Sequence, residues 1–302
     1  MQLGQNGHSI DEHWLRKQQM STQKRAPPLD AYQQRVAAIY AARADTYDAT
    51  PGNADWHRRI AATLVRRAPL QAGQRVLDIA TGTGLVALDA AERLGAQGDV
   101  LGVDISAPML EQARRKARRS RLGQVRFELA DAENLSLPHA SFDHVLCCAA
   151  LVLMRDVPRA LAHWRTMLVA GGWIGLQTHP ETAFVSSRVL QALAAAEGID
   201  LRLHRELGTP ERLYALLESA GFVDIDILLE PHGHFLTLEQ ALALSPDFDF
   251  LAPGQDPPPL RACTAAQMER LREAYAEAMR AACTPQGIWD DGSSMFARAR
   301  NP

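Results

Sequence analysis

The 302-residue sequence predicts an α/β protein built on a doubly wound, mostly parallel sheet, and three observations carry that prediction. Short apolar strands alternate with helical stretches of ten or so residues between Arg75 and Thr178. A glycine loop, Thr81-Gly82-Thr83-Gly84, joins the first clear strand to a helix. Acidic residues follow consecutive strands, at Asp104 and again at Asp131 and Glu133.

The elements run in a regular order. Apolar residues at helical spacing (Val36, Ile39, Tyr40) predict a helix from Leu29 to Tyr47, and a second covers Trp56 to Ala68. Strand Arg75–Ile79 leads into the glycine loop and helix Leu85–Leu94. A short strand, Val100–Val103, ends on Asp104 and precedes the basic helix Pro108–Arg119. Strands at Val125–Glu128 and Phe142–Cys148 follow, then helix Val157–Leu168. Gly171-Gly172 turns the chain into a fifth strand, Trp173–Thr178. Beyond it come helices at Phe184–Glu197 and Pro210–Ala220, a sixth strand at Phe222–Leu229, and a long excursion broken by Pro246, Pro253 and Pro257-Pro258-Pro259. Helix Thr264–Ala282 and a last strand, Ser293–Ala299, close the chain. Helical connections of this length between strands require right-handed crossovers, hence a parallel sheet covered on both faces.

This order divides the chain into a flexible tail (1–28), N-terminal helices (29–70), a ligand-binding core (71–230), and a final excursion with the last strand (231–302). The tail is polar, ends in Pro27-Pro28 and lacks the apolar middle of a secretory signal. At 47% hydrophobic, the chain can bury one sizeable core and a smaller attached element. A formal net charge of −3 offers no global attraction to nucleic acid or anionic membrane, so neither is expected as a partner. No apolar run reaches the roughly 18–20 residues of a membrane helix. Cys147 and Cys148 are adjacent, and Cys263 and Cys283 stand alone, so the four read as free thiols suited to a reducing cytoplasm.

The glycine loop by itself is ambiguous, because Gly82-x-Gly84-x-x-Ala87 also satisfies a relaxed dinucleotide fingerprint. Asp104, twenty residues past Gly84, suits a ribose in either case. Asp78 separates the two readings. A carboxylate one turn ahead of the glycines repels a pyrophosphate but pairs with an ammonium group. Asp131 can accept a hydrogen bond from an adenine amino group.

Val76-Leu77-Asp78-Ile79-Ala80-Thr81-Gly82-Thr83-Gly84, Gly102-Val103-Asp104-Ile105-Ser106 with Met109, Asp131-Ala132-Glu133 with Leu137-Pro138, Ser141-Phe142-Asp143-His144-Val145 and Ala170-Gly171-Gly172 occur in that order. Residues from about Ala31 to Gly221 thereby resemble the class I methyltransferases, in the branch typified by ubiquinone/menaquinone and natural-product methylation. The resemblance implies a seven-stranded Rossmann-like sheet with N-terminal helices and helical cap insertions, and S-adenosyl-L-methionine as cofactor. It implies that Gly82 and Gly84 contact the methionyl and ribose portions and that Asp104 takes the ribose hydroxyls. Ile105 and Met109 then pack on the adenine, with Asp131 and Ala132 near its amino group. Asp78, Ala80 and Cys148 complete the cofactor wall at the strand ends, and Tyr40 and Tyr47 match a helix that often lids the cofactor. Ala80 stands where many relatives have a glycine.

Methyl transfer from a sulfonium needs mostly alignment, with a base only for an acceptor that holds its proton tightly. His179, after the fifth strand, is the expected catalytic base. His232 and His234 lack a third ligand motif, so no metal is expected. Arg114, Arg115, Lys116, Arg118, Arg119 and Arg121 read as the solvated face and end of a helix. The expected reaction is methylation at oxygen or nitrogen of a small, specialised-metabolism substrate by a monomer or homodimer. The competing readings are a cyclase or isomerase of the same fold, a nicotinamide-dependent oxidoreductase, and a nucleic-acid or protein methyltransferase.

Overall fold

A computed structural model describes residues 28–49, 53–204, 207–244 and 254–302. The expected tail before Pro28, and Pro246, Phe248, Phe250 and Pro253 of the excursion, lie outside the described residues.

Two N-terminal helices, α1 (Ala31–Arg43) and α2 (Asn53–Arg67), precede the sheet. The alternating part is β1 (Arg75–Ile79), α3 (Leu85–Leu94), β2 (Asp99–Asp104), α4 (Ala107–Arg119), β3 (Val125–Leu129), β4 (Phe142–Cys148), α5 (Val157–Met167) and β5 (Leu168–Thr178). Then follow α6 (Val185–Ala196), α7 (Pro210–Ser219), β6 (Val223–Glu230), β7 (Gly233–Leu236), α8 (Leu238–Ala243), α9 (Ala265–Ala282), β8 (Ile288–Asp291) and β9 (Ser294–Arg300).

The seven-stranded sheet has the order β3-β2-β1-β4-β5-β9-β6. Strands β1 to β5 pair in parallel, and β9 inserts antiparallel between β5 and β6. Chain order reverses between β1 and β4, which opens a crevice outside their carboxyl ends, where such sheets bind ligands. One core layer packs α5 and α7 on the sheet through Trp164, Leu161, Leu213 and Leu217. The opposite layer packs α2, α3 and α4 through Ile60, Leu64, Ala90 and Leu110. Continuous apolar strands buried on both faces account for the legibility of this part in sequence.

Two expectations need correction, and the structure adds one element. Helix α1 stops at Arg43, and Ala44 to Ala49 form turns, in which the Thr46 hydroxyl donates to the Arg43 carbonyl at 3.4 Å while Asp45 and Asp48 accept from Gln112 and Lys116 of α4. Strand β5 begins at Leu168, ahead of the glycine pair, with Gly171 at φ +76° inside it. A second sheet, the β7–β8 ribbon, pairs Phe235 with Trp289, with α8 and α9 falling between its strands in chain order, which the periodicity of four-residue segments could not reveal. Tyr275 and Met279 of α9 bury against α6 and α8 to form its small core.

Candidate active site

The turn after β1 is shaped by three residues in left-handed conformation: Ala80 at φ +53°, Gly82 at +56° and Gly84 at +86°. The Asp78 carboxylate, buried beneath them, accepts from the Thr81 hydroxyl at 2.6 Å and the Ala87 amide at 3.1 Å, which ties strand, loop and helix α3 together. Burial pushes the Asp78 carboxyl up to about 7, and the nearby Asp104 adds to the shift. An ammonium group placed beside Asp78 reverses that penalty.

At the end of β2, Asp104 accepts from the Gly82 amide and the Ser106 amide, each at 2.8 Å. Its carboxyl is also raised by burial, against the lowering effect of those amides. Each oxygen thus holds a backbone donor, and the Ile105 amide adds to their effect. After β3, Asp131 accepts from the Glu133 amide at 3.0 Å and the Asn134 side chain at 2.6 Å. Its Oδ2 also takes the Gln33 side-chain amide of α1 at 2.9 Å.

These three strand ends floor a cleft enclosing about 1030 Å³ of empty space, part of it open to solvent. Tyr40 and Tyr47, Asp78, Ala80, Gly82, Asp104, Ile105, Met109, Asp131, Ala132 and Cys148 all line it. Gly84 does not. A Cβ there would stand 3.0 Å from Ala113 and 3.2 Å from Phe127, so this glycine serves the packing of α3 against α4 and β3. His179 is likewise outside the lining. Its Nδ1 donates to the Ser293 carbonyl at 3.2 Å, and its ring packs on Trp56 at 5.0 Å and Phe184 at 4.9 Å. Burial lowers the imidazole to about 4, which makes it a weak proton acceptor.

The cleft also takes lining residues beyond the expected site set. Tyr32, Gln33 and Val36 share with Tyr40 the face of α1 that looks into the cleft, and His57 enters from the first turns of α2. The helical spacing of residues 33, 36 and 40 was the available signal. Lys116, expected on a solvated face, instead bonds Asp48 at 2.8 Å and the Thr83 hydroxyl at 3.0 Å, and burial lowers its pKa. Among the described residues, no group of three or more His, Cys, Asp or Glu is placed to hold a metal, and no helix is long and apolar enough to cross a membrane.

Fold and cleft together define a doubly wound α/β protein that binds a small polar ligand at the switch point of its sheet. Comparison with known proteins sharpens that class. Residues 76–172 match the family model described as a methyltransferase domain. The chain is 33% identical over 207 residues to the aklanonic acid methyltransferase DauC of Streptomyces sp. (strain C5), covering 64% of this chain and 93% of that one. It is 31% identical over 204 residues to nocamycin O-methyltransferase of Saccharothrix syringae, covering 62% and 72%. Its fold is similar to Haemonchus contortus phosphoethanolamine N-methyltransferase 2 in complex with S-adenosyl-L-methionine (TM-score 0.56, 19% identity, 91% of this chain and 60% of that chain). The chain belongs to the class I, S-adenosylmethionine-dependent methyltransferases, in the quinone and natural-product branch.

Proposed function

We propose that the protein transfers a methyl group from S-adenosylmethionine to an oxygen or nitrogen of a small molecule of specialised metabolism. The observation that carries this reading is the way the lid is held. Helix α1 and the turn after it cross the cleft and are fastened at both ends, by Gln33 on Asp131 and the Tyr32 hydroxyl on the Leu153 carbonyl (2.9 Å), and by Asp48 on the Thr83 hydroxyl (2.9 Å). A cleft roofed in this manner admits a small acceptor and excludes bulk water. The names of the aklanonic acid and nocamycin relatives point to the same class of substrate.

The residues present fit the cofactor. Buried carboxylates at three successive strand ends suit an ammonium, a ribose and an adenine amino group, and bare backbone at Gly82 admits close approach. In this assignment Asp78 and Gly82 hold the amino-acid end, with Ala80 and Cys148 beside it. Asp104 would take the ribose hydroxyls, Ile105 and Met109 would pack on the adenine, and Asp131 with Ala132 would lie near its amino group. Tyr40 and Tyr47 close the roof. When bound, S-adenosylmethionine supplies an electrophilic methyl group, so the protein's part is to align the acceptor and keep water out. His179 packs on Trp56, whose ring in turn packs on His57 of the cleft.

Incubation with S-adenosylmethionine and a panel of phenols, carboxylic acids and amines tests the reading by mass spectrometry, with Asp104→Ala as control. Methylated product together with S-adenosylhomocysteine is the expected result. Cofactor binding with an unchanged product mass would move the assignment to isomerisation.

A further inference from the structure

Of the described residues lining the cleft, His57 is the one imidazole. Its Nε2 lies 2.8 Å from the Tyr47 hydroxyl, with ring centroids 4.7 Å apart. The two side chains come from different elements, the turn after α1 and the first turns of α2, and meet where the lid closes on the cleft. Behind the imidazole, Trp56 packs edge-on at 4.7 Å and is itself held by His179 and Phe184. The ring is therefore fixed in direction.

The carboxylates of the cleft each hold donors from the protein itself. Asp78 holds Thr81 and Ala87, Asp104 holds Gly82 and Ser106, and Asp131 holds Gln33, Glu133 and Asn134. Glu133 accepts from the Asp156 amide at 3.1 Å.

We propose that Tyr47 and His57 form the proton-accepting pair for a hydroxyl acceptor, with His57 as the final base. The proposal rests on the methyl-transfer reading above and narrows the acceptor to a weakly acidic hydroxyl such as a phenol. As the acceptor oxygen bonds the methyl carbon, its O–H bond breaks and the proton passes to the Tyr47 oxygen. The Tyr47 proton passes in turn to His57 Nε2, and the electron pair of the C–S bond leaves with sulfur. The products are a methyl ether, a thioether and an imidazolium. Burial holds the Tyr47 phenol well above its ordinary range, so it relays a proton without surrendering its own charge state. Tyr40, Arg43, Cys148 and Asp48 face Tyr47, and His179 faces His57.

The test uses the full chain, with His57→Gln and Tyr47→Phe. Ring-nitrogen NMR of the S-adenosylhomocysteine complex should find His57 Nε2 unprotonated, with its shift moved in Tyr47→Phe. Calorimetry should find S-adenosylhomocysteine affinity in His57→Gln within about threefold of wild type. Transfer to a naphthol should fall about 100-fold or more in His57→Gln. Transfer to lawsone, whose enol is already ionised at neutral pH, should hold within about threefold. A protonated Nε2, lost S-adenosylhomocysteine binding in His57→Gln, or equal losses for both acceptors would overturn the pair. If neither acceptor reacts, the nitrogen shifts and calorimetry decide. Failure of the wild-type protein to bind S-adenosylhomocysteine would instead remove the methyl-transfer reading itself.

Discussion

The Gln33 side-chain amide donates to Asp131 at 2.9 Å, from the first turn of α1 across the cleft to the loop after β3. The same side chain closes the capping box of α1 by accepting from the Asp30 amide at 3.1 Å. One residue thus starts the lid helix and fastens it to the carboxylate assigned to the adenine.

Removing this contact should loosen the lid without unfolding the core. A buried hydrogen bond to a charged group contributes about 1.5–3 kcal/mol, while the N-cap bond from the Gln33 backbone amide to the Asp30 side chain stays in place. Gln33→Ala is therefore expected to raise amide exchange across α1 and to weaken S-adenosylhomocysteine binding about tenfold. Hydrogen exchange confined to residues 31–43, with β1 and β4 still protected, checks it. Unchanged exchange there would mean that the lid is held elsewhere.

Asp104 is expected to matter more, because its carboxylate orders the loop and is the group assigned to the ribose in the proposed cofactor site. Asp104→Ala strips the partners of the Gly82 and Ser106 amides. Affinity for S-adenosylhomocysteine should fall about 100-fold, while Asp104→Asn, which keeps one acceptor, should lose less. Calorimetry of the three proteins orders them.

Asp78 makes the stability of the free protein depend on pH. Its folded pKa, about 7, lies above the ordinary 3.8, so the folded state favours the protonated carboxyl. That stability is fully present below about pH 4 and is lost as pH rises through 7. Asp104 is shifted in the same direction. Thermal melting of the ligand-free protein should thus show a fall in Tm from pH 5 to 8 that flattens in Asp78→Asn. The ammonium of S-adenosylhomocysteine should flatten it as well. Equal slopes in wild type and mutant would exclude Asp78 as the source.

Ala80 carries a backbone cost that glycine would avoid. At φ +53°, an L residue gives up roughly 1–2 kcal/mol, of which glycine regains part after its greater freedom in the unfolded chain is counted. Ala80→Gly should raise Tm by a few degrees and leave the sheet unchanged. A lower Tm would mean that the Ala80 methyl contributes more by packing on the core than the left-handed backbone costs.

Much of this protein is legible one residue at a time. The bounds of β1, α3 and β4 coincide with those read from apolar runs and the glycine loop, because a strand buried on both faces and a helix with one apolar stripe each write their burial directly into local pattern. The carboxylates Asp78, Asp104 and Asp131 were legible for the same reason: they stand at fixed offsets from strand ends.

The tertiary structure alone decided what depends on residues distant in the chain. It separates Gly84, which packs on Ala113 and Phe127, from Gly82, which faces the cleft, although both occupy one motif. It sends Lys116 of the basic run to the lid residue Asp48, pairs the β7 and β8 segments across more than fifty residues, and places His57 in the cleft and His179 behind it. Local periodicity reports whether a position is buried. Which partner buries it is set by chain crossings and packing, and no window along the sequence contains both halves of such a contact.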